Sequence, residues 1–319
     1  MSVLPYYVEV ASPLHAIALE ECLTDSWAGP GIPLLLYVNK PSVIIGRNQN
    51  YWREVSSQCE VPVYRRTSGG GAVYHDEGNL NWAFIVPRTT HSREEELGLI
   101  ISALEHLGVP ALAGQRGGLH VLLFHGEGYF KIGGTARRFG SGNVLHHGTL
   151  LVHADLARMR ACLGGIPVSE DSSIPSVPAA VINLNSIIPG LSTASLAHHL
   201  ARRIAGKPPE LVRFEDLLDE TTPHPLQLSR KRFETTLREL ASDEWIYGRT
   251  PPFVITLPSA GRNLKISVLG GRISEVMSNA DSDSDIARML NQMFIGKDFS
   301  FNLYEEMRQK AERSDDGIP

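Results

Sequence analysis

The order of segments predicts an α+β fold: a mixed β-sheet backed by helices over residues 1–222, then a small α+β unit over 223–319. Three observations carry this. Five strand-like runs crowd residues 33–87; three isolated segments carry helix caps and helical periodicity; and the texture turns polar and Pro-interrupted at DETTPHPLQLS (219–229) before a fresh helix–strand–strand–strand–helix pattern begins.

The elements follow in order. Ser12-Pro13 is an N-cap followed by Pro at the first helical position, so LHAIALEECLTDSW is the first helix. PLLLYV (33–38), SVIIG (42–46), VPVYRRT (61–67), GAVYHD (71–76) and LNWAFIVP (80–87) are rich in β-branched and aromatic residues and punctuated by Gly, Pro and Asn, as strands are. Ser92 and Glu95 form a capping box, and Leu97, Ile100, Ile101, Leu104 and Leu107 repeat at helical spacing until Gly108 and Pro110. HVLLFHG (120–126), YFKIGGTARR (129–138) and VLHHGTLLV (144–152) are strands, the last two joined by a hairpin turn at Gly140–Asn143. LSTASLAHHLARRIAG is a helix with Leu196, Leu200 and Ile204 on one face, ended by Gly206 and Pro208. In the second unit KRFETTLREL is a helix, FVITL, LKISVL and ISEVM are strands, and DSDIARMLNQMF is a helix. The tail QKAERSDDGIP lacks apolar periodicity and is expected to fray.

Composition narrows the function classes. Across 319 residues, 42% hydrophobic and 20% charged residues are the balance of a globular protein with a real core. The formal charge of −5 and the absence of any Lys/Arg-rich run beyond Arg202-Arg203 and Arg230-Lys231-Arg232 argue against nucleic acid as a partner. Cys22, Cys59 and Cys162 are odd in number, widely spaced and without a CxxC pair, so reduced thiols are expected, with no metal site. No apolar run reaches the roughly 18 to 20 residues that span a bilayer, and MSVLPYYVEV is neither a presequence nor a secretory signal. No membrane partner is expected, and the chain is expected to be a monomer.

The chemistry concentrates in RRTSGGGAVYHDEGN (65–79). A triple glycine frees the backbone to take positive φ and to approach a ligand closely, or it is a plain turn between two strands. No Gly-Lys-Ser/Thr follows, so it is not a P-loop, and strand-like residues follow, so it is not a dinucleotide fingerprint. Arg65, Arg66 and Ser68 add a donor set suited to an acyl phosphate. Lys131, in YFKIGGTA, sits between apolar neighbours and before Gly-Gly; it either points to solvent by alternation or is held against a buried anion. The pair His146-His147 lacks a second ligand cluster at metal-binding spacing, which leaves a hydrogen-bonding or structural role. His75-Asp76 with Ser68 does not make a catalytic triad, since neighbours on one short strand cannot take that geometry.

RRTSGGGAVYHDEGN, then KIGGTARR some fifty residues on, then HHGTLL, with GRNQNYWREV (46–55) ahead of them, resemble the lipoate–protein ligase and lipoyltransferase family from about residue 35 to 300. EWIYGRTPPF (244–253) resembles the opening of that family's accessory domain. The resemblance implies a catalytic domain of the biotin/lipoate ligase type over 1–222 and an accessory domain over 223–319. It implies that the loop binds lipoyl-AMP through Arg66, Ser68, Gly69, Gly70, Gly71, Ala72, Val73, Tyr74 and Asn79, with Ala136, His147 and Thr149 nearby and Lys131 at the acyl–phosphate junction. On that basis any Cβ on Gly69 to Gly71 would obstruct the adenylate, and Trp82 and Phe84 are candidates to line an apolar tunnel.

Two segments depart from the bacterial ligases. Their Arg-Asn-Asp segment is Gly118-Leu119-His120-Val121 here, and their arginine-bearing loop reads SSIPSVPAAVINL. The second version and the WIYG block resemble mitochondrial lipoyltransferases, which take preformed lipoyl-AMP; ATP and Mg²⁺ enter only if the chain is a complete ligase. A cysteine-dependent octanoyl or lipoyl amidotransferase and a silent lipoyl-binding module are the other readings, and a biotin ligase is disfavoured because its GRGRxG-type loop is missing. The implied acceptors are lipoyl domains of 2-oxoacid dehydrogenase E2 subunits or the glycine cleavage H protein. The implied compartment is the mitochondrion, or the cytoplasm of a bacterium.

Overall fold

The computed structural model describes residues 2–114, 117–123, 128–219, 221, 223–259, 262–278 and 284–313. The chain opens with β1 (Val3–Glu9), a strand the sequence reading did not anticipate, and α1 (Pro13–Ser26), whose N-cap Ser12 accepts a hydrogen bond from the His15 N–H as its spacing predicts. β2 (Ile32–Val38) and β3 (Ser42–Ile45) follow, then a single turn α2 (Tyr51–Glu54) capped by Asn50. β4 (Val63–Arg65) and β5 (Val73–His75) flank the glycine loop, and β6 (Asn79–Pro87) follows. After α3 (Arg93–Glu105) come β7 (Ala111–Ala113), β8 (Gly118–Leu123), β9 (Gly128–Phe139) and β10 (Asn143–Leu151); residues 124–126 of the strand expected over 120–126 lie outside the described residues. The hairpin turn stands where expected, with the Gly140 N–H on the Asn143 carbonyl.

The remaining elements are α4 (Leu156–Cys162), a short β11 (Glu170–Asp171), α5 (Thr193–Ala205), β12 (Glu210–Arg213), α6 (Arg230–Leu240), a π-helical turn over Glu244–Gly248, the strands β13 (Phe253–Ser259), β14 (Arg262–Leu269) and β15 (Arg272–Ser278), and the helices α7 (Ser284–Phe294) and α8 (Phe301–Arg313). α8 corrects the sequence expectation of a fraying tail over its residues 309–313. Met307 and Ala311, one turn apart, are buried in the C-terminal core, so a sparse apolar face is sufficient once a sheet receives it.

Among the described residues an eight-stranded mixed sheet runs in the order β12-β1-β2-β6-β10-β9-β8-β7, parallel from β12 to β2 and antiparallel from there on. Alternation along β2 and β6 divides two cores across it. Leu35, Tyr37, Ala83 and Ile85 face α1 and α6, while Leu34, Leu36, Trp82 and Phe84 face α3 and α5. The architecture is α+β, as expected. The polar segment 219–229 does not coincide with a change of core: Leu226, Leu228, Phe233, Leu240, Trp245 and Ile246 all join the core under α1. A third core begins with Trp52 and Phe253, where α7 and α8 cover the four-stranded antiparallel sheet β11-β13-β14-β15.

The small sheet β4-β3-β5 carries the glycine loop, which crosses over β3 from one outer strand to the other. What fixes this sheet is Arg65. Its side chain is fully buried: Nε donates to the Trp245 and Ile246 carbonyls, Nη1 to those of Gly46, Arg47 and Gln49, and Nη2 to the Ile246 carbonyl and Thr250 Oγ1. Trp245 Nε1 returns a hydrogen bond to the Arg65 carbonyl at 2.8 Å. Sequence reading placed Arg65 in the ligand's donor set; its N–H groups instead satisfy backbone carbonyls that would otherwise be buried unpaired. Arg65→Met should therefore cost about 3 kcal/mol or more in urea unfolding, because several carbonyls lose a charged donor at once. An unchanged midpoint would contradict this assignment.

Candidate active site

The loop between β4 and β5 is built from its own arginine. Arg66 Nε donates to Ser68 Oγ and the Gly69 carbonyl, Nη2 to the Gly69 and Gly71 carbonyls at 2.6 and 2.8 Å, and Nη1 to the Ile44 carbonyl. The guanidinium thus curls the loop around itself, using all but one of its N–H groups, and burial pushes its pKa down to about 10. The three glycines answer to different demands. Gly70 has φ +89, and a Cβ there would lie 3.0 Å from Arg66 Nη2; a Cβ on Gly71 would lie 3.1 Å from Ser176 Oγ. Gly69 has open space around its Cβ position. Gly46, outside the triple, is more tightly confined than any of the three, since its Cβ would meet the Gly70 carbonyl oxygen at 2.2 Å.

Ser68 continues the network away from the loop. Its Oγ is 2.7 Å from His147 Nε2, His147 Nδ1 is 2.9 Å from Glu20 Oε2, and the Tyr37 hydroxyl donates to Glu20 Oε1 at 2.7 Å. The chain ties the loop to β10, α1 and β2. His146 points to the opposite face, where its Nδ1 lies 2.6 Å from Glu96 Oε2 of α3, because successive residues of a strand alternate. The adjacent histidines therefore serve two separate hydrogen-bonding networks. His75 and Asp76 do not join Ser68: His75 Nδ1 is 2.9 Å from Asn39 Nδ2, and Asp76 accepts from the Gly78 and Asp155 N–H groups.

Two cavities meet beside this loop. The first, about 110 Å³, is bounded by Arg66, Gly70, His75 and His147 with Glu20, Tyr37 and Asn39; the second, about 450 Å³, by Tyr74, Leu151, Met159, Leu163 and Ser176 with Arg53 and Arg160. Ala72, Val73, Lys131, Gly134 and Thr149 border both. Ala136 borders the first only, whereas Ser68, Gly69 and Asn79 border neither. Asn79 is fully buried, with its Nδ2 on Asn81 Oδ1, and it is Asn81 that reaches the first cavity. Trp82 and Phe84, expected to line a tunnel, belong to the core on the far side of the sheet. Alternation along β6 was the right rule, but which face looks at the loop was not readable from one strand.

Lys131 stands where the cavities join. Opposite it on β8, Leu119 pairs with Gly133 and His120 with Lys131, so Ile132 is an extra residue, a bulge; Ile132 buries in the core and its neighbour Lys131 borders the cavities. Close approach of the chain at the bulge explains Gly133, whose Cβ would lie 1.9 Å from the Thr149 carbonyl oxygen. Burial, and then the nearby Arg66, push the Lys131 amine's pKa below its ordinary value, and no carboxylate pairs with it among the described residues. The segment over 173–182 straps this junction. The Lys131 N–H donates to the Ala180 carbonyl, the Ile182 N–H to the Lys131 carbonyl, and Ser176 Oγ receives the Ala72 N–H at 2.8 Å and Gln49 Nε2 at 3.1 Å. Ser176, Glu20, Tyr37 and Asn39 were missed by sequence reasoning. Only Glu20 left a signal, as a carboxylate inside the apolar run of α1.

Residues 12–205 match the family described as the lipoyl protein ligase A/B catalytic domain. The mitochondrial lipoyl amidotransferase LIPT1 of Mus musculus is 34% identical over 312 residues, covering 89% of this chain and 78% of that one. The chain belongs to this family. It is an acyltransferase of the lipoate–protein ligase type. The fold is shared with P. falciparum LipL1 in complex with lipoate (TM-score 0.62, 22% identity, 96% of this chain and 98% of that one). It is shared also with lipoate-protein ligase A bound with ATP (TM-score 0.55, 22% identity, 77% of this chain and 97% of that one). No helix among the described residues is long and apolar enough to cross a membrane.

The buried His75 gives the site a pH signature. Burial, then the charges of Arg66 and His147, push its pKa down to about 3, whereas an unfolded histidine titrates near about 6.5. Between those values the unfolded chain binds a proton that the folded chain refuses, so stability falls as pH drops from about 6.5 towards 3. Urea midpoints of the wild type and His75→Gln, measured from pH 7 to 4, should converge as pH falls, the wild type losing more. Parallel curves would show that His75 is not buried neutral.

Proposed function

We propose that this protein transfers a lipoyl group from lipoyl-AMP to the side-chain amine of a lysine on a lipoyl domain. One observation carries the reading: a lysine without a carboxylate partner among the described residues, half-buried where two cavities join, beside a loop curled by a second buried cation. Such a point attracts an anion that must reach into both cavities at once. A mixed anhydride has that shape, with an acyl chain on one side of its reacting carbonyl and a nucleotide on the other.

The acyl chain enters the first cavity and the adenosine the second, whose Arg53 and Arg160 add positive charge, Arg53 being shared with Asp171 at 3.2 Å. The acceptor amine, having lost its proton to solvent, attacks the carbonyl carbon. A C–N bond forms, the bond from carbonyl carbon to phosphate oxygen breaks, AMP leaves with the electron pair, and the proton that the new amide nitrogen sheds passes to solvent. Lys131 meets the negative charge that grows on the carbonyl and phosphate oxygens, and because it is already held in place it stabilises the transition state without reorganising.

The strap supports a donor with one phosphate rather than ATP. It brings Ser176, Val177 and Pro178 to the second cavity and no cation to meet two further phosphates. A second reading takes the acyl group from a lipoylated protein, and the name of the mouse relative, a lipoyl amidotransferase, supports it. A thiol intermediate has little support there. None of Cys22, Cys59 and Cys162 borders either cavity, and burial, with Cys162 beside it, pushes the Cys59 thiol up to about 11. The mitochondrial name of that relative also supports a mitochondrial setting.

With lipoyl-AMP and an apo lipoyl domain, the wild type should add one lipoyl group to the acceptor, read as a mass increase. Lys131→Ala should slow this about 100-fold or more while leaving the thermal unfolding curve in place. Near-wild-type turnover in that variant would refute the site, and a wild type that accepts only a lipoylated protein as donor would favour the second reading.

A further inference from the structure

The floor of the first cavity is more polar than a hydrocarbon chain requires. Most of that polarity is internally paired: Glu20 with Tyr37 and His147, and Arg66 with the loop. The Asn39–His75 pair is not. Both side chains border the first cavity and not the second, Asn39 is 3% and His75 6% exposed, and their Nδ2 and Nδ1 atoms are 2.9 Å apart. Asn39 Oδ1 and His75 Nε2 have no hydrogen-bond partner among the described residues.

Because His75 is neutral, its ring carries one N–H. If Asn39 Nδ2 donates to His75 Nδ1, the ring proton sits on Nε2, which is then the unpaired donor, and Asn39 Oδ1 is the unpaired acceptor. If the amide is turned the other way, His75 Nδ1–H donates to Asn39 oxygen, the amide nitrogen is the unpaired donor, and Nε2 is the unpaired acceptor. Either arrangement leaves at least one N–H and one acceptor without a partner, on side chains that border the cavity. His75 lies two residues along β5 from Val73, which borders both cavities, so the pair sits about 7 Å from the junction. That is the stretch an acyl chain fills beyond its carbonyl.

We propose that the Asn39–His75 pair makes this cavity selective for an acyl chain that carries sulfur over an all-carbon chain of the same shape. The inference rests on the reading of the first cavity as the acyl site. Divalent sulfur is a weak hydrogen-bond acceptor and can take the unpaired N–H. A methylene group cannot, and an all-carbon chain would leave that N–H buried without a partner, a cost the sulfur-bearing chain avoids.

The test is a competition. The full chain is given equal amounts of lipoyl-AMP and 5-cyclopentylpentanoyl-AMP, the carbocyclic analogue in which both ring sulfurs are carbon, together with an apo lipoyl domain, and the two acceptor products are counted by mass. The wild type should favour lipoyl on the order of 5- to 10-fold, the size of one weak hydrogen bond. His75→Phe and Asn39→Leu should each bring the ratio close to one. A wild-type ratio near one overturns the inference and leaves the proposed transfer standing, and it does so even if neither variant folds. A ratio that persists in a folded variant also overturns it. If neither product forms, the transfer reading fails and this inference with it.

Discussion

Two buried guanidinium groups, Arg65 at the end of β4 and Arg66 just after it, hold the site together. Neighbouring residues of a strand face opposite ways, so Arg65 and Arg66 serve two separate sets of carbonyls. Arg65 gathers the carbonyls of Gly46, Arg47 and Gln49 and of the π-helical turn, which fastens the C-terminal part of the chain to the loop sheet. Arg66 gathers those of the loop itself. Loop carbonyls turned inward on one cation cannot wander, and a buried cation has its hydrogen bonds satisfied only while they stay. Everything at the junction is registered on that pair: Ser68 reaches His147, Gly71 meets the strap, and Ala72 borders both cavities beside Lys131.

The remaining constraint is the bulge at Ile132. Without the extra residue β9 would keep its register against β8, and every residue before Ile132 would face β8 one place along. Ile132 packs in the core while Lys131 borders the junction, and the missing side chain at Gly133 allows β10 to come close. Burial near Arg66 lowers the proton affinity of the amine and leaves the local charge uncompensated. These are the conditions under which a cation contributes most to a developing anion.

Sequence reasoning reached the elements with strong periodicity or caps: α1 from Ser12-Pro13, α3 from its Ser92 cap, and the β9–β10 hairpin. It missed β1 and β12, whose residues gain their reason only when paired in parallel with a distant neighbour, and α8, which carries too few apolar residues to announce itself alone. At the site, the loop and Lys131 were legible because triple glycine and a lysine among apolar residues are costly unless used. The direction of the arginine donors was not, since a guanidinium in a sequence cannot say whether it faces a ligand or a carbonyl. Nor could local pattern find Asn39 or Ser176, which come to the cavities from segments whose own sequences look like ordinary strand end and loop. The assignment of Trp82 and Phe84 failed for a similar reason, as alternation gives two faces and only the tertiary fold says which one meets the loop.

A crystal structure with a non-hydrolysable lipoyl-AMP analogue tests the central claim most directly, because that claim is one of place. The account predicts the carbonyl or phosphate oxygen within hydrogen-bond distance of Lys131 Nζ, the acyl chain in the cavity bordered by Asn39 and His75, and the adenosine in the one bordered by Tyr74 and Ser176. An analogue bound with Lys131 turned away, or with its acyl chain among Met159 and Leu163, would contradict it.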